Sequence, residues 1–162
     1  MALLKLHLDE FDEVDYELIA IHTALEDYRL AYFINQNLPV ILSKNKEGMG
    51  IKTRDGEADF SIFSYIDESS DIKWSLVQNK NEIVVKKKST GQNLFLNNDV
   101  EIEYPVFLLP ELKKVDYFLK IENNASAIKT ETLLRTLNTI DRISAVYAVI
   151  PEKIKSKNNL IF

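Results

Sequence analysis

The sequence predicts an α+β fold, a ferredoxin-like βαββαβ core with an inserted antiparallel β-rich middle. Three observations lead there. Residues of about 14–43 and about 115–150 each follow a strand–helix–strand pattern. Between them, over about 58–109, apolar and polar residues alternate with the period of two that marks half-buried strands. The two outer units also begin alike: Val14-Asp15-Tyr16-x-Leu18-x-x-Ile21 returns as Val115-Asp116-Tyr117-x-Leu119-x-Ile121, the last position offset by one. Two such units around extra strands match the split β-α-β plan, and right-handed crossovers would set both helices on one face. The 162 residues are expected to form one domain, closed by a basic tail at 151–162.

Each element has a local reason. Leu4, Leu6 and Leu8 alternate with polar residues, as in a strand, and the acidic stretch 9–15 turns the chain. Residues 16–21 make a second, more buried strand. Thr23-x-x-Glu26 ahead of an apolar-periodic run has the form of a capping box. The helix it opens is expected over about 24–37, with Leu25, Tyr28 and Tyr32 on one stripe and Ala31, Ile34 and Leu38 on the next. Pro39 ends it, Val40-Ile41-Leu42 forms a short strand, and 44–55 is a loop. Residues 60–66 and 72–77 form a hairpin around a five-residue turn at 67–71, with Ile72, Trp74 and Leu76 on one side. Asn79-Lys80-Asn81 turns into a strand at 82–88. Leu94-Phe95-Leu96 is short, and Val100, Ile102 and Tyr104 alternate with glutamates as far as Pro105. Strand 117–121, a turn at 123–126 and a helix marked by Leu133, Leu134, Leu137 and Ile140 follow. The last strand, 143–150, is apolar enough to be expected at the sheet centre.

Composition narrows the chemistry. With 46% hydrophobic and 28% charged residues the chain has the make-up of a soluble globular protein. The absence of cysteine excludes disulfides, thiolate metal sites and thiol nucleophiles. Residues 1–9 lack a basic n-region and an unbroken apolar core, so no signal peptide is expected. No run reaches the roughly 18–20 apolar residues of a membrane span. The expected place is the cytoplasm, without membrane contact. A net charge of −5 argues against a general hold on nucleic acid.

The run Leu109-Pro110-Glu111-Leu112-Lys113-Lys114-Val115-Asp116-Tyr117 resembles the signature of the IPExxVDY family, small proteins of Bacteroidetes-type bacteria, with leucine where the family name has isoleucine. Leu18-Ile19-Ala20-Ile21, Asp27-Tyr28-Arg29-Leu30 and the final Leu160-Ile161-Phe162 are also similar to family features. The resemblance implies no activity, cofactor or catalytic residue. It implies genes lying beside those for ribonuclease III, pyruvate kinase and fatty-acid synthesis. On physical grounds the signature residues Leu109, Pro110, Glu111, Val115, Asp116 and Tyr117 are expected to be structural. Pro110 has the φ of a first helical turn and Glu111 suits its positive end. Asp116 accepts backbone N–H bonds where the chain re-enters the sheet, and Tyr117 packs while its hydroxyl finds a partner.

Neither His7 nor His22 has the spacing of a metal or catalytic histidine. Gly48-x-Gly50 lacks the context of a phosphate loop, and no nucleophile elbow occurs. Acids at 9–15, 67–71 and 99–103 fit turns and solvent faces. No catalytic, cofactor-binding or metal residue is therefore assigned, and no cofactor is expected. Phe60, Phe63 and Tyr65 faintly resemble a base-stacking strand, and Lys86-Lys87-Lys88, Lys113-Lys114 and Lys153, Lys155 and Lys157 are basic spots. An RNA-associated role is thus one alternative, and a small-molecule-sensing domain another, although the glycine that such modules place at the first strand–helix turn is absent. The leading expectation is a non-enzymatic protein-interaction or accessory protein with an unknown protein partner or a second copy of itself. Leu160, Ile161 and Phe162 are its candidate interaction residues, expected to dock on their own domain.

Overall fold

The chain runs β1 (Tyr16–Thr23), α1 (Asp27–Asn37), β2 (Ser43–Lys44), β3 (Met49–Thr53), β4 (Gly56–Phe60), β5 (Ile62–Asp67), β6 (Ile72–Gln78), β7 (Lys80–Lys87), β8 (Val100–Phe107), β9 (Tyr117–Glu122), α2 (Thr130–Asn138) and β10 (Ile143–Val149). This computed structural model describes residues 15–88, 99–125 and 127–162. The expected strand at 4–8 with His7, the short strand Leu94-Phe95-Leu96, Val14 of the repeat and Ser126 of the turn lie outside the described residues. The fold is α+β: six strands form one sheet in the order β10-β1-β9-β6-β5-β2, every neighbouring pair antiparallel. β3–β4 and β7–β8 form two separate hairpins.

Alternation along the central strands builds two cores. Ile19 and Ile21 of β1, Trp74 and Leu76 of β6, and Leu119 and Ile121 of β9 point to one face. There they meet Leu30, Ala31 and Ile34 of α1 and Leu133 and Leu137 of α2. The neighbouring residues Leu18, Ala20, Val77 and Phe118 point to the other face, against Ala58 and Phe60 of β4, Ile83 of β7, and Ile154 and Leu160 of the tail. The sheet is thus the middle of three layers, with both helices on one side and hairpins and tail on the other. Full burial of each such aliphatic or aromatic side chain contributes about 1.5–3 kcal/mol, which is why both faces of β1 and β9 are apolar. Antiparallel neighbours also mean that β1 and β2 run parallel with three strands between them, and β9 and β10 with β1 between them. α1 and α2 are the crossover helices of these two connections.

Several local expectations are corrected by tertiary pairing. Among the described residues the final strand, β10, lies at the sheet edge rather than the centre, and only Val146 of it is buried. Its apolar residues include two alanines, Ala145 and Ala148, too small to fill a core. Val40-Ile41-Leu42 is not a strand; Val40 and Leu42 are buried, but the Asn35 amide holds the Leu42 backbone at 2.8 and 3.0 Å in place of a strand partner. The paired residues are Ser43 and Lys44, against Ser64 and Phe63. The expected loop 44–55 contains β3, whose Met49 and Ile51 pack on the tail-side core. The capping box does not form. Strand pairing carries β1 through Thr23, Glu26 becomes the N-cap, and α1 starts at Asp27. Thr23 Oγ1 instead accepts from Leu25 N at 3.1 Å and donates to Arg142 O at 2.8 Å. On α1 the buried stripe is Leu30, Ala31 and Ile34, whereas Tyr28 and Tyr32 stand 58% and 59% exposed. β8 continues through Pro105, which an outer ribbon strand tolerates. Of the turn placed at 79–81, only Asn79 interrupts the strands.

Candidate functional site

The signature segment joins β8 to β9, and Glu111, Asp116 and Tyr117 each bind the protein's own backbone. Leu109 is fully buried, and Pro110–Leu112 make one 3-10 turn closed by Leu112 N to Leu109 O at 2.9 Å. Val115 is buried where the chain turns into β9. Asp116 meets β1: its N donates to Ile21 O, and its Oδ2 accepts from Thr23 N at 2.9 Å. Its Oδ1 pairs with Lys80 Nζ at 3.0 Å. The buried Tyr117 hydroxyl donates to Leu25 O at 2.8 Å, fastening the turn before α1. Burial, and then the negative charges of Asp27, Asp116 and Glu26, push the Tyr117 hydroxyl up to about 12.

Asn79, which no sequence motif marks, is the hub of this segment. It is wholly buried. Its N donates to Asp116 O, and its O accepts from Leu108 N. Its Oδ1 accepts from Leu109 N at 2.9 Å, while Nδ2 donates to Leu112 O at 2.9 Å and Val115 O at 2.8 Å. One amide therefore binds both ends of the signature turn; without it Leu109 N and Val115 O would be orphaned, whereas Leu112 O also accepts from Val115 N at 3.1 Å. The polar run Asn79-Lys80-Asn81 between apolar stretches was the available signal, and it fits an ordinary turn equally well.

Glu111 stands in the first turn, as expected, and also reaches beyond it. Its carboxylate clamps the tail, accepting from Lys155 N at 2.8 Å, Ser156 N at 2.9 Å and Ser156 Oγ at 3.0 Å. Burial pushes its carboxyl up, but hydrogen bonding from the Ser156 backbone, its own backbone N–H, the Ser156 hydroxyl and the Lys155 backbone outweighs this and holds it below 4.5. Beyond the clamp, Leu160 is buried in the tail-side core, Phe162 packs against it, and Ile161 is exposed. Lys120, buried on the same face of β9, donates to Leu160 O at 2.7 Å and Glu122 Oε1 at 3.0 Å. Its ammonium stands 5.0 Å from the centres of both the Tyr16 and Phe162 rings. Lys73 reaches Phe162 O at 2.8 Å. Of the three candidate interaction residues, two are thus held by the chain itself.

The other candidate chemistry is dispersed. His22 lies within β1 rather than at the turn, and its Nε2 is 3.0 Å from the Tyr147 hydroxyl. Among the described residues no three of His, Asp or Glu form a metal-binding group. Asp67 caps its own turn by accepting from Ser69 and Ser70. Phe60 is buried on the tail side while Phe63 and Tyr65 pack on the helix side, so they form no common stacking surface. Lys86 pairs with Glu101 at 3.5 Å and Lys87 lies over the Tyr104 ring. Lys113, Lys114, Lys153 and Lys155 are exposed.

What the structure leaves open is an edge. Among the described residues, the outer side of β10 pairs with no strand. The opposite edge of the sheet is β2, only two residues long and carrying Lys44, the usual protection against edge pairing. β10 has seven residues, Ile-Ser-Ala-Val-Tyr-Ala-Val, without charge, proline or glycine. Among the described residues, no helix is long and apolar enough to cross a membrane. Compared with family models, curated proteins and solved structures, the chain has no match.

Proposed function

We propose that the protein is a non-enzymatic interaction or accessory protein of the bacterial cytoplasm, of the IPExxVDY type, built on an expanded ferredoxin-like core. In support of the core, β10, β1, β9 and β6 are successive antiparallel neighbours, and two crossover helices cover one face. On this reading β5 and β2 extend the four-stranded unit, and the β3–β4 and β7–β8 hairpins are insertions. In support of the role, the polar signature groups are bound internally and offer no free acid, base or nucleophile. The observation that carries the proposal is the edge of β10, uncharged and, among the described residues, unpaired, a template for adding a strand from another chain. The signature then acts at a distance: it anchors β9 and β1, which hold β10 in place.

Co-purification tests it. Tagged protein incubated with a native lysate containing a differently tagged copy is expected to retain a reproducible set of proteins. Ala148→Lys puts a charge on an exposed position of the edge and is expected to lose them. Equal retention by the variant, or none by the parent protein, refutes the reading.

A further inference from the structure

We infer that residues 154–162 form a strap that opens as a unit, without unfolding the sheet, and uncovers Lys120 on a polar strip beneath it. This goes beyond the reading of the β10 edge and does not rest on it. Strand register lays out the strip: Lys120 faces Ser75 of β6, and Glu122 faces Lys73 of β6 on one side and Tyr16 of β1 on the other. Two residues along the same strands, Phe118 and Val77 belong to the apolar tail-side core. The face of the sheet therefore turns from apolar to polar where the end of the strap lies. The Lys120 side chain is only 5% exposed, and the strap supplies part of that cover, through Leu160 O and the Phe162 ring.

The strap is held differently from the strands. Its own backbone bonds are local, from Ile154 N to Pro151 O, Asn159 N to Ser156 O and Ile161 N to Asn158 O. Among the described residues, every hydrogen bond between it and the rest of the protein uses a side chain. These are the Glu111 carboxylate, the Lys73 and Lys120 ammonium groups, and the Asn159 amide, which donates to Leu108 O at 2.8 Å. Ile154 and Leu160 are its buried side chains. Lifting it breaks no bond of a strand ladder. It also returns to water an ammonium whose burial is costly, and the buried hydroxyls of Tyr16 and Ser75, which have no hydrogen-bond partner among the described residues. Unfolding β1 and β9 would instead expose strands that are apolar on both faces. A segment with side-chain tethers and few buried apolar groups opens before the core does. Closed, the strap covers the strip; open, it leaves Lys73, Lys120 and Glu122 on the face of the sheet as a charged surface.

Acylation of the full chain with an amine-reactive ester, read lysine by lysine by mass spectrometry over a range of urea concentrations, tests this. Amide exchange at Ile19 and Leu119, in the middle of the sheet, reports global unfolding for comparison. Lys120 is expected to react through an opening at least about 10-fold more populated than the one that frees those amides, or 1.4 kcal/mol. Its urea slope is expected to be smaller, because less surface is exposed. Glu111→Ala is expected to raise the Lys120 rate at least about 10-fold, since even one hydrogen bond to a charged group is worth that much. The exposed Lys113 and Lys114 should react as before. If circular dichroism shows that Glu111→Ala does not fold, Ser156→Ala, which removes one bond of the clamp, takes its place and is expected to raise the rate by less. An opening at Lys120 that matches the two amides in population and urea slope overturns the inference, because only global unfolding then frees the lysine. A Lys120 rate unchanged by loosening the clamp also overturns it, because the strap is then not what covers the strip.

Discussion

Replacing Asn79 with alanine removes three side-chain hydrogen bonds at once, to Leu109 N, Leu112 O and Val115 O. The backbone bonds of residue 79 to Asp116 and Leu108 remain available, so the loss is that of the amide alone. Each buried group left without a partner costs about 1–3 kcal/mol. Two groups, Leu109 N and Val115 O, are left so, because Leu112 O still accepts from Val115 N, and they would cost up to about 6 kcal/mol if rigid. The 3-10 turn carries exposed residues, Pro110 and Glu111, so water can reach part of it after a small movement. The expected loss is therefore about 2–4 kcal/mol, a large share of the roughly 5–15 kcal/mol of a typical domain. With a urea slope of about 2 kcal/mol/M, the denaturation midpoint falls by about 1–2 M. Asn79→Asp keeps an acceptor for Leu109 N but loses both donors and buries a charge, so it is expected to be no better than alanine. A loss below about 1 kcal/mol for Asn79→Ala would refute the hub argument, because one lost neutral hydrogen bond costs that much.

Three further outcomes follow from the same contacts. Asp116→Ala removes the acceptor of Thr23 N and the partner of Lys80; a stability loss of about 1 kcal/mol or more is expected, and an unchanged denaturant midpoint would count against a structural Asp116. Tyr117, with its hydroxyl raised from 10.0 to about 12, contributes stability that is complete below pH 10.0 and lost as pH rises towards about 12, since the unfolded chain ionises first. That contribution amounts to about 2–3 kcal/mol; alkaline denaturation of Tyr117→Phe should lack this part of the pH dependence, and a profile identical to the parent's refutes the assignment. For Glu111 the sign is reversed: its folded value lies below 4.5, so its hold on the tail is present above pH 4.5 and is lost as pH falls through that lower value. The amide proton shifts of Lys155 and Ser156 should titrate with a midpoint below 4.5, and a midpoint at or above it would show that the clamp is not formed in solution.

The extent of sequence legibility differed by element. The hairpin of β5 and β6, with Asp67 opposite Ile72, was readable because its turn chemistry and its alternation lie within seventeen consecutive residues. The two crossover helices were readable as helices, yet the buried face of α1 was not. Tyr28 and Tyr32 have apolar rings and correct spacing, but Leu30 and Ile34 reach the sheet instead. Two contacts of the signature were legible: Asp116 accepts a backbone N–H and the Tyr117 hydroxyl finds a partner. The target of Glu111 was not, since its partners lie 44 and 45 residues further on.

By itself the sequence determined the class of fold, two crossover helices and a strand-rich middle, and it excluded thiol chemistry. These follow from composition and from periodicity within one element, which short-range sterics and burial impose wherever the element ends up. Tertiary structure alone decided that β10 is an edge, that β2 lies at the far side of the sheet, and that Asn79 and Lys120 hold segments distant in sequence. Strand order and buried polar contacts depend on which surfaces meet. A strand of Ile, Ala, Val and Tyr has the same local pattern in the middle of a sheet as at its margin, and only the presence or absence of a neighbour distinguishes them.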